Sequence, residues 1–455
     1  VAILDISNLP ALPAAGKKQF WGGLEGSAAA LALASAAQNH AGLSLVLTEN
    51  SRQAERLRNE LEFFAAGAHS NFDVLSFPDW ETLPYDNFSP HQDIISERLL
   101  TLHRLPRVER GVLILSVTTL LHRLPPREYM SAHSLLLKTG QQFSITEMRR
   151  ALEAAGYQAV DSVYEHGEFA VRGSIMDLFP MGSTVPYRIE LFDDSIESLR
   201  SFNVETQISS DKVDEVSLLP GREYPLDQKA IARFRQAFRE AFTIDVRRCP
   251  LYDDISKGLA SAGIEYYLPL FFPELATLFA YLPKRVQAFT FGDVHAGAMQ
   301  FWRDIRSRYD ERGIDPERPL LPPEQLFVAV EDLFAELRKL PVTELQPRQL
   351  EAGAGVCNLQ TGQFPDLEVE NRAEHPLAKL QQFLQAQRGV PLLFCCDSPG
   401  RREAMIELLQ RIAVQPRTVP DWHTFVVEQP ELAITVAPLE SGLWLREPAL
   451  IAVTE

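Results

Sequence analysis

Phosphate chemistry has one place to sit in this sequence, the stretch GGLEGSAAALALASAA from Gly22 to Ala37. A P-loop needs the spacing G-x-x-x-x-G-K-[ST]: backbone amides cradle the phosphates, the lysine reaches the terminal ones and the hydroxyl holds Mg²⁺. Gly23 and Gly26 supply a turn, but alanines follow, Ala29 and Ala30 among them, and no lysine. Read as a P-loop stripped of its chemistry or as a glycine turn before an alanine-rich helix, the stretch offers no ATP site. Metal and acid–base chemistry fare no better. The ten histidines are scattered, and H-E-x-x-H, G-x-S-x-G and paired zinc ligands are all missing. His91 with Asp93 has no third ligand nearby in sequence and reads as a helix N-terminal cluster. Asp293 and His295, just after a predicted strand over 285–291, read as a turn and helix cap. Arg401 and Arg402 follow Asp397-Ser398-Pro399-Gly400; a solvated helix face explains them better than anion binding at a helix start. The expectation is no catalytic residue, no metal site and no cofactor in this chain.

Binding chemistry is better served. The stretch YEHGEFAVRGSIMDLFPMGSTVPYRIELFDD, 164–194, reads as β-strands joined by tight turns, with Gly167 in one bend and Met181-Gly182-Ser183 in the next. Side chains of a strand alternate between faces. Over 186–192 this puts Tyr187, Ile189 and Leu191 on one side, an ordinary buried face, and Arg188, Glu190 and Phe192 on the other. Arg172, in the preceding Val171-Arg172-Gly173, is expected to lie beside the second trio, with Gly173 letting a neighbouring backbone approach closely. Two arginines and an exposed phenylalanine have the composition of a protein-binding hot spot. The pattern alone leaves equally open a solvated face whose Phe192 folds back under the sheet edge.

The elements that must position these residues alternate strand and helix over 1–130, the pattern of an α/β layer with a mainly parallel sheet. Ser44 to Thr48, Asp73 to Phe77 and Gly111 to Val117 read as strands, and Asn50-Ser51 caps the helix running to Phe64. Residues 79–105 form a loop leading into a helix. Trp80, Tyr85 and Phe88 stand there among Asp79, Glu81, Asp86 and Asp93, so they anchor a long loop rather than stack on bases, which needs basic neighbours. Ser144 and Glu147 make a capping box for a helix that stops at Gly156. The rest of 135–219 is antiparallel in character, which marks an insert. Residues 220–341 return to α/β and helix, with Trp302, Ile305 and Tyr309 as core at helical spacing. Residues 342–376 are polar and weakly patterned and read as a connector, and 377–455 as a small α/β domain.

Composition bounds the function. With 455 residues, about three domains are expected. There are 61 acidic and 44 basic residues, a formal charge of −17. A chain this acidic is not, as a whole, a binder of phosphate backbones, so any nucleic-acid contact must be local or belong to something else. Cys249, Cys357, Cys395 and Cys396 show no C-x-x-C spacing and read as reduced thiols of a cytoplasmic protein. No apolar run approaches the ~18 residues of a membrane span. The opening VAILDISNLP lacks a basic leader and is not expected to be a signal peptide. The last residues, PALIAVTE, read as a strand, and the chain is expected to be the front part of a longer protein.

The segments EHGEFAVRG, DLFPMGS and PYRIELFDD closely resemble those of bacterial transcription-repair coupling factors, and more distantly the insert domain of the excision-repair protein UvrB. The resemblance runs over nearly the whole chain, densest at 79–105 and 164–194 and thinnest after 341. It implies a UvrB-like, degenerate RecA-type α/β domain in two segments, 1–134 and 220–341, with an α+β insert at 135–219. Set over UvrB's P-loop, Ala28, Ala29 and Ala30 stand where glycine, lysine and threonine belong. Gly292 stands in the place of the Walker-B aspartate. The resemblance therefore implies a non-catalytic front part, with the family's ATP, Mg²⁺ and DNA-translocating motor outside this chain. It also implies a partner. The family's insert docks the damage-recognition ATPase UvrA, and the residues implicated fall on Arg172, Arg188 and Phe192. In the resting family protein a C-terminal domain covers the same face, while RNA polymerase and double-stranded DNA are held by other parts. The resemblance selects the binding reading over two rivals: an ATPase, and a DNA-binding domain in its own right.

Overall fold

The computed structural model describes residues 12–65, 72–315, 317–367 and 375–454. The opening residues VAILDISNLP lie outside them. Two strands, Leu43–Thr48 and Gly111–Ser116, are buried at every position. Near-continuous apolar runs of this kind suit the middle of a parallel sheet covered on both faces. They sit within a seven-stranded sheet, all of whose pairings are parallel. Its order from one edge is Val356–Asn358, Lys18–Gly22, Val342–Leu345, Val286–Phe291, Leu43–Thr48, Gly111–Ser116, Asp73–Ser76. Strands from both sides of the insert thus complete one sheet, the expected helicase-like α/β architecture.

Two of its strands correct the expected connector at 342–376. Val342–Leu345 lies inside the sheet and Val356–Asn358 forms its edge. The pattern hides them because an inward side chain of the first is Thr343, whose hydroxyl accepts from the buried Gln19 Nε2 at 3.0 Å. Polar pairs satisfied inside a sheet erase the apolar alternation that would announce a strand.

The insert is a six-stranded sheet ordered Ser209–Val213, Ser195–Phe202, Tyr187–Phe192, Ile175–Leu178, Glu168–Arg172, Gln158–Ala159. It is antiparallel except at its last pair. A separate ribbon pairs the entering strand Leu135–Lys138 with the leaving strand Glu215–Leu218. Helix Ile145–Ala154 starts as expected, the Ser144 hydroxyl accepting from the Glu147 N–H.

Residues 79–105 tie this insert to the large sheet. Trp80 and Tyr85 are buried as anchors: Trp80 Nε1 donates to Glu223 at 3.2 Å and the Tyr85 hydroxyl to the Leu321 carbonyl at 2.9 Å. Phe88 departs from the expectation and stands exposed. His91 caps helix Gln92–Arg104, its ring nitrogen accepting from the Asp93 N–H. His166 of the insert reaches across to Asp93 at 2.7 Å and to the Ser183 carbonyl at 2.7 Å. The two stretches of densest resemblance are therefore in contact, which no local pattern foretold.

The last unit is a five-stranded sheet ordered Arg417–Thr418, Leu432–Val436, Leu392–Cys396, Ala449–Thr454, Leu443–Arg446. Only its final pair is antiparallel. It shares a hydrophobic core with helices Ala28–Asn39 and Ser51–Ala65, where Phe64 meets Trp422 edge-on at 4.9 Å. Cys395 and Cys396 lie in its buried central strand. No described helix is long and apolar enough to cross a membrane.

Candidate functional site

The strand Tyr187–Phe192 alternates as expected: Ile189 and Leu191 are buried, while Phe192 is 66% exposed. Cross-strand registry places its neighbours. Glu190 stands opposite Ile175, which stands opposite Arg172, so these three form one row across three strands. Arg188 stands in the next row, opposite Asp177 and Arg200. Phe192 follows Glu190 on the same face, at the outer end of the strand. Arg172, Arg188 and Phe192 thus share one face, as the alternation requires.

Their surroundings differ sharply. Arg188 is locked: its Nε and Nη2 grip the two carboxylate oxygens of Asp177 at 2.7 and 2.9 Å. Its Nη1 donates to Ser209 Oγ at 3.1 Å and the Gln207 carbonyl at 3.3 Å, and the guanidinium lies over Phe202 at 5.1 Å. Asp177 is buried and the Arg188 side chain only 17% exposed. The hydrogen bonds and charge of Asp177 raise the arginine pKa further, against burial. Arg172 is exposed and donates to the Asp161 carbonyl and to Ser162 Oγ at 2.5 and 2.7 Å, holding a loop against the sheet. Phe192 points into solvent beside the Asp193–Asp194 turn. Gly173 differs from expectation: no atom approaches within 4 Å of where its Cβ would stand. Its φ of +64° serves the two-residue turn between Arg172 and Ile175.

The glycine turn at 22–27 is packed against the last unit. Ser27, ahead of helix Ala28–Asn39, donates its hydroxyl to the Ser441 carbonyl at 2.6 Å and its N–H to the Gly442 carbonyl at 3.3 Å. A Cβ on Gly26, whose φ is +60°, would come within 2.0 Å of that Gly442 oxygen. One on Gly23, φ +68°, would strike Gln349 and the Leu359 carbonyl, both at 2.4 Å. Ala28, Ala29 and Ala30 are buried in the shared core. Peptide carbonyls of the last unit thus take both donors of Ser27, while the Gly23 and Leu24 N–H groups go to the Arg348 and Gln346 carbonyls. The Asp293 carboxylate accepts from the Ala296 N–H at 2.9 Å, the helix cap expected at that turn. Arg401 likewise lies in a helix start capped by its own Ser398. Among the described residues no group of three His, Cys, Asp or Glu is placed to hold a metal ion.

Residues 135–224 match the model of the UvrB interaction domain, and 383–455 that of the MFD D3 domain. The transcription-repair-coupling factor of Escherichia coli K12 is 44% identical over 89% of this chain. The Haemophilus influenzae protein of the same name is 39% identical over 93%. The chain is a homologue of the transcription-repair-coupling factors. A more distant coupling factor, from Myxococcus xanthus, is 30% identical over 88% of the chain. The chain spans about a third of the length of these coupling factors, 35%, 36% and 34% respectively. The UvrB interaction domain takes in the whole six-stranded sheet and its two-stranded neck, and so the face that carries Arg172, Arg188 and Phe192. The MFD D3 domain takes in the Ser441 and Gly442 carbonyls that accept from Ser27.

Proposed function

We propose that this chain is a non-catalytic protein-binding module that recruits UvrA through the insert face carrying Phe192. The observation that carries the reading is a large aromatic, 66% exposed, on the same sheet face as an exposed arginine in a UvrB interaction domain. Phe192 is the apolar anchor and Arg172 the cation that meets a partner carboxylate. Arg188 acts mainly by holding Asp177 and with it the strands beneath the face. The lack of the P-loop lysine and the carbonyls seated on Ser27 support a module without ATP or Mg²⁺ of its own. In the complete protein, by the same family reading, a DNA-translocating ATPase, an RNA-polymerase contact and a C-terminal domain covering the insert face lie elsewhere. The setting is the cytoplasm, where a stalled polymerase is handed to excision repair.

Titration calorimetry of the chain with UvrA tests this. Phe192→Ala should weaken binding at least about tenfold, the mark of a hot spot worth more than ~1 kcal/mol. Full affinity in a folded variant lacking both Phe192 and Arg172 would reject the assignment.

A further inference from the structure

The parallel sheet has two ends, and their charges differ. At the amino end five of six adjacent strands begin beside cations, Leu43–Thr48 being the exception. Lys17 and Lys18 open the first, Arg338 and Lys339 precede Val342–Leu345, and Lys284 and Arg285 precede Val286–Phe291. Beyond Leu43–Thr48, Arg107 and Arg110 precede Gly111–Ser116, and Arg104 lies against the start of Asp73–Ser76. Most strand starts pair directly, Lys18 with Val342, Val286 with Leu43, Leu43 with Gly111, and Gly111 with Asp73, while Val342 pairs with Ala288, a step of two residues within the rim. Five steps of ~4.8 Å between strands make a rim roughly 24 Å long.

Part of this charge has a local explanation. Lys18 pairs with Glu344, Lys339 with Glu336 and Arg104 with Asp73. Arg104 and Arg338 also follow helix ends, where a cation complements the dipole. Lys17, Lys284, Arg285 and Arg110 have neither explanation. None has an ion-pair partner among the described residues, although carboxylates outnumber cations in the chain as a whole. Arg110 and Arg285 converge on half-buried His40, whose pKa is lowered by burial and by both guanidiniums. A depression of about 600 Å³ beside them is lined by His103, Arg104, Arg107 and Arg110, with Asp73 and Glu109 as its acids.

We infer that this amino-end rim is a docking strip for the phosphate backbone of duplex nucleic acid. Its length matches about seven phosphates of one strand at ~3.4 Å each. A protein partner would want an apolar or aromatic centre, and none of the large exposed hydrophobics among the described residues lies on the rim segments. Phosphate contacts need only donors and charge, and carry no sequence preference. The rim lies at the opposite end of the sheet from the glycine turn at 22–27 and on a different part of the chain from the insert face, so it leaves both free.

The test is fluorescence anisotropy of the whole chain with a fluorescein-labelled duplex of about 30 base pairs, from about 50 to 200 mM salt. The wild type should bind at low salt and weaken steeply as salt rises. Arg110→Glu with Arg285→Glu should weaken binding more than about tenfold and lower the log–log salt slope by about two. Arg388→Glu with Arg411→Glu, the same charge change in the last unit, should leave affinity within about threefold. If circular dichroism shows the first pair unfolded, Lys17→Glu with Lys284→Glu, on exposed side chains, replaces it with the same expectation. Absence of duplex binding at about 50 mM salt, or equal loss in the last-unit control, would overturn the proposal. Binding of polyglutamate in place of duplex would also overturn it and assign the rim to an acidic protein.

Discussion

Arg188 and Phe192 lie four residues apart on one strand face, yet the structure gives them different work. Phe192 touches little of its own protein, so its truncation should leave the fold intact and be felt only by a partner. Phe192→Ala is expected to keep the wild-type urea midpoint within error while losing UvrA affinity. Arg188 is the reverse case. Removing it strands the buried Asp177 carboxylate, and breaking a buried pair costs about 3 kcal/mol or more. Arg188→Ala should therefore lower the unfolding free energy by an amount of that order, read as a lower urea midpoint, and lost binding in that variant reports on folding as much as on contact. Equal urea midpoints for Arg188→Ala and wild type would show that Asp177 finds other partners.

At the scale of elements, the glycine turn at 22–27 and the last unit make one joint. Gly26 needs a positive φ and has the Gly442 carbonyl where a side chain would go. Gly26→Ala meets both obstacles, backbone strain and a close contact that only movement of the last unit relieves. The expected result is faster hydrogen exchange at the amides of Ser27 to Leu31, and brighter or shifted emission from Trp422, which packs on Phe63 and Phe64 in the shared core. Unchanged exchange would mean that the Ser441–Gly442 turn yields locally and the joint does not depend on it. Opening the joint should not create ATPase activity, since no lysine follows Gly26 in this stretch to reach a terminal phosphate.

Over the whole molecule, buried carboxyls make stability depend on pH. Glu265 lies buried where the 79–105 loop meets the 3₁₀ helix Ile264–Leu270, accepting from Ser89 Oγ at 2.9 Å. Burial raises its pKa to about 7 from 4.5, with the neighbouring Glu223 adding to the rise. A raised folded-state pKa means that the folded protein keeps a proton the unfolded chain releases. The contribution is full below about pH 4.5 and is lost as pH climbs through about 7. Glu265→Gln, which stays neutral, should thus gain stability relative to wild type between about pH 5 and pH 8, measured as the difference in melting temperature. A constant difference across that range would place the Glu265 pKa near its ordinary value. The same scale separates the two charged surfaces: net charge averages the acidic bulk with the basic rim, and only sheet order brings cations from distant segments into line.

What the sequence settles by itself here is local. Strand parity fixes that Ile189 and Leu191 face one way and Arg188 and Phe192 the other, because the side-chain period is two wherever the strand lies. The Ser144–Glu147 box fixes a helix start for the same kind of reason. The missing P-loop lysine is legible because chemistry needs that residue in every fold. Tertiary structure alone decides what stands opposite. Asp177, across one hairpin pairing, turns Arg188 from a free cation into a clasp. Ser441, 414 positions from Ser27, ties the glycine turn to the last unit. Thr343, satisfied by Gln19 across the sheet, turns a polar connector into a strand. Partner choice between distant segments depends on complementary surfaces and satisfied polar groups, and no periodicity along the chain encodes those.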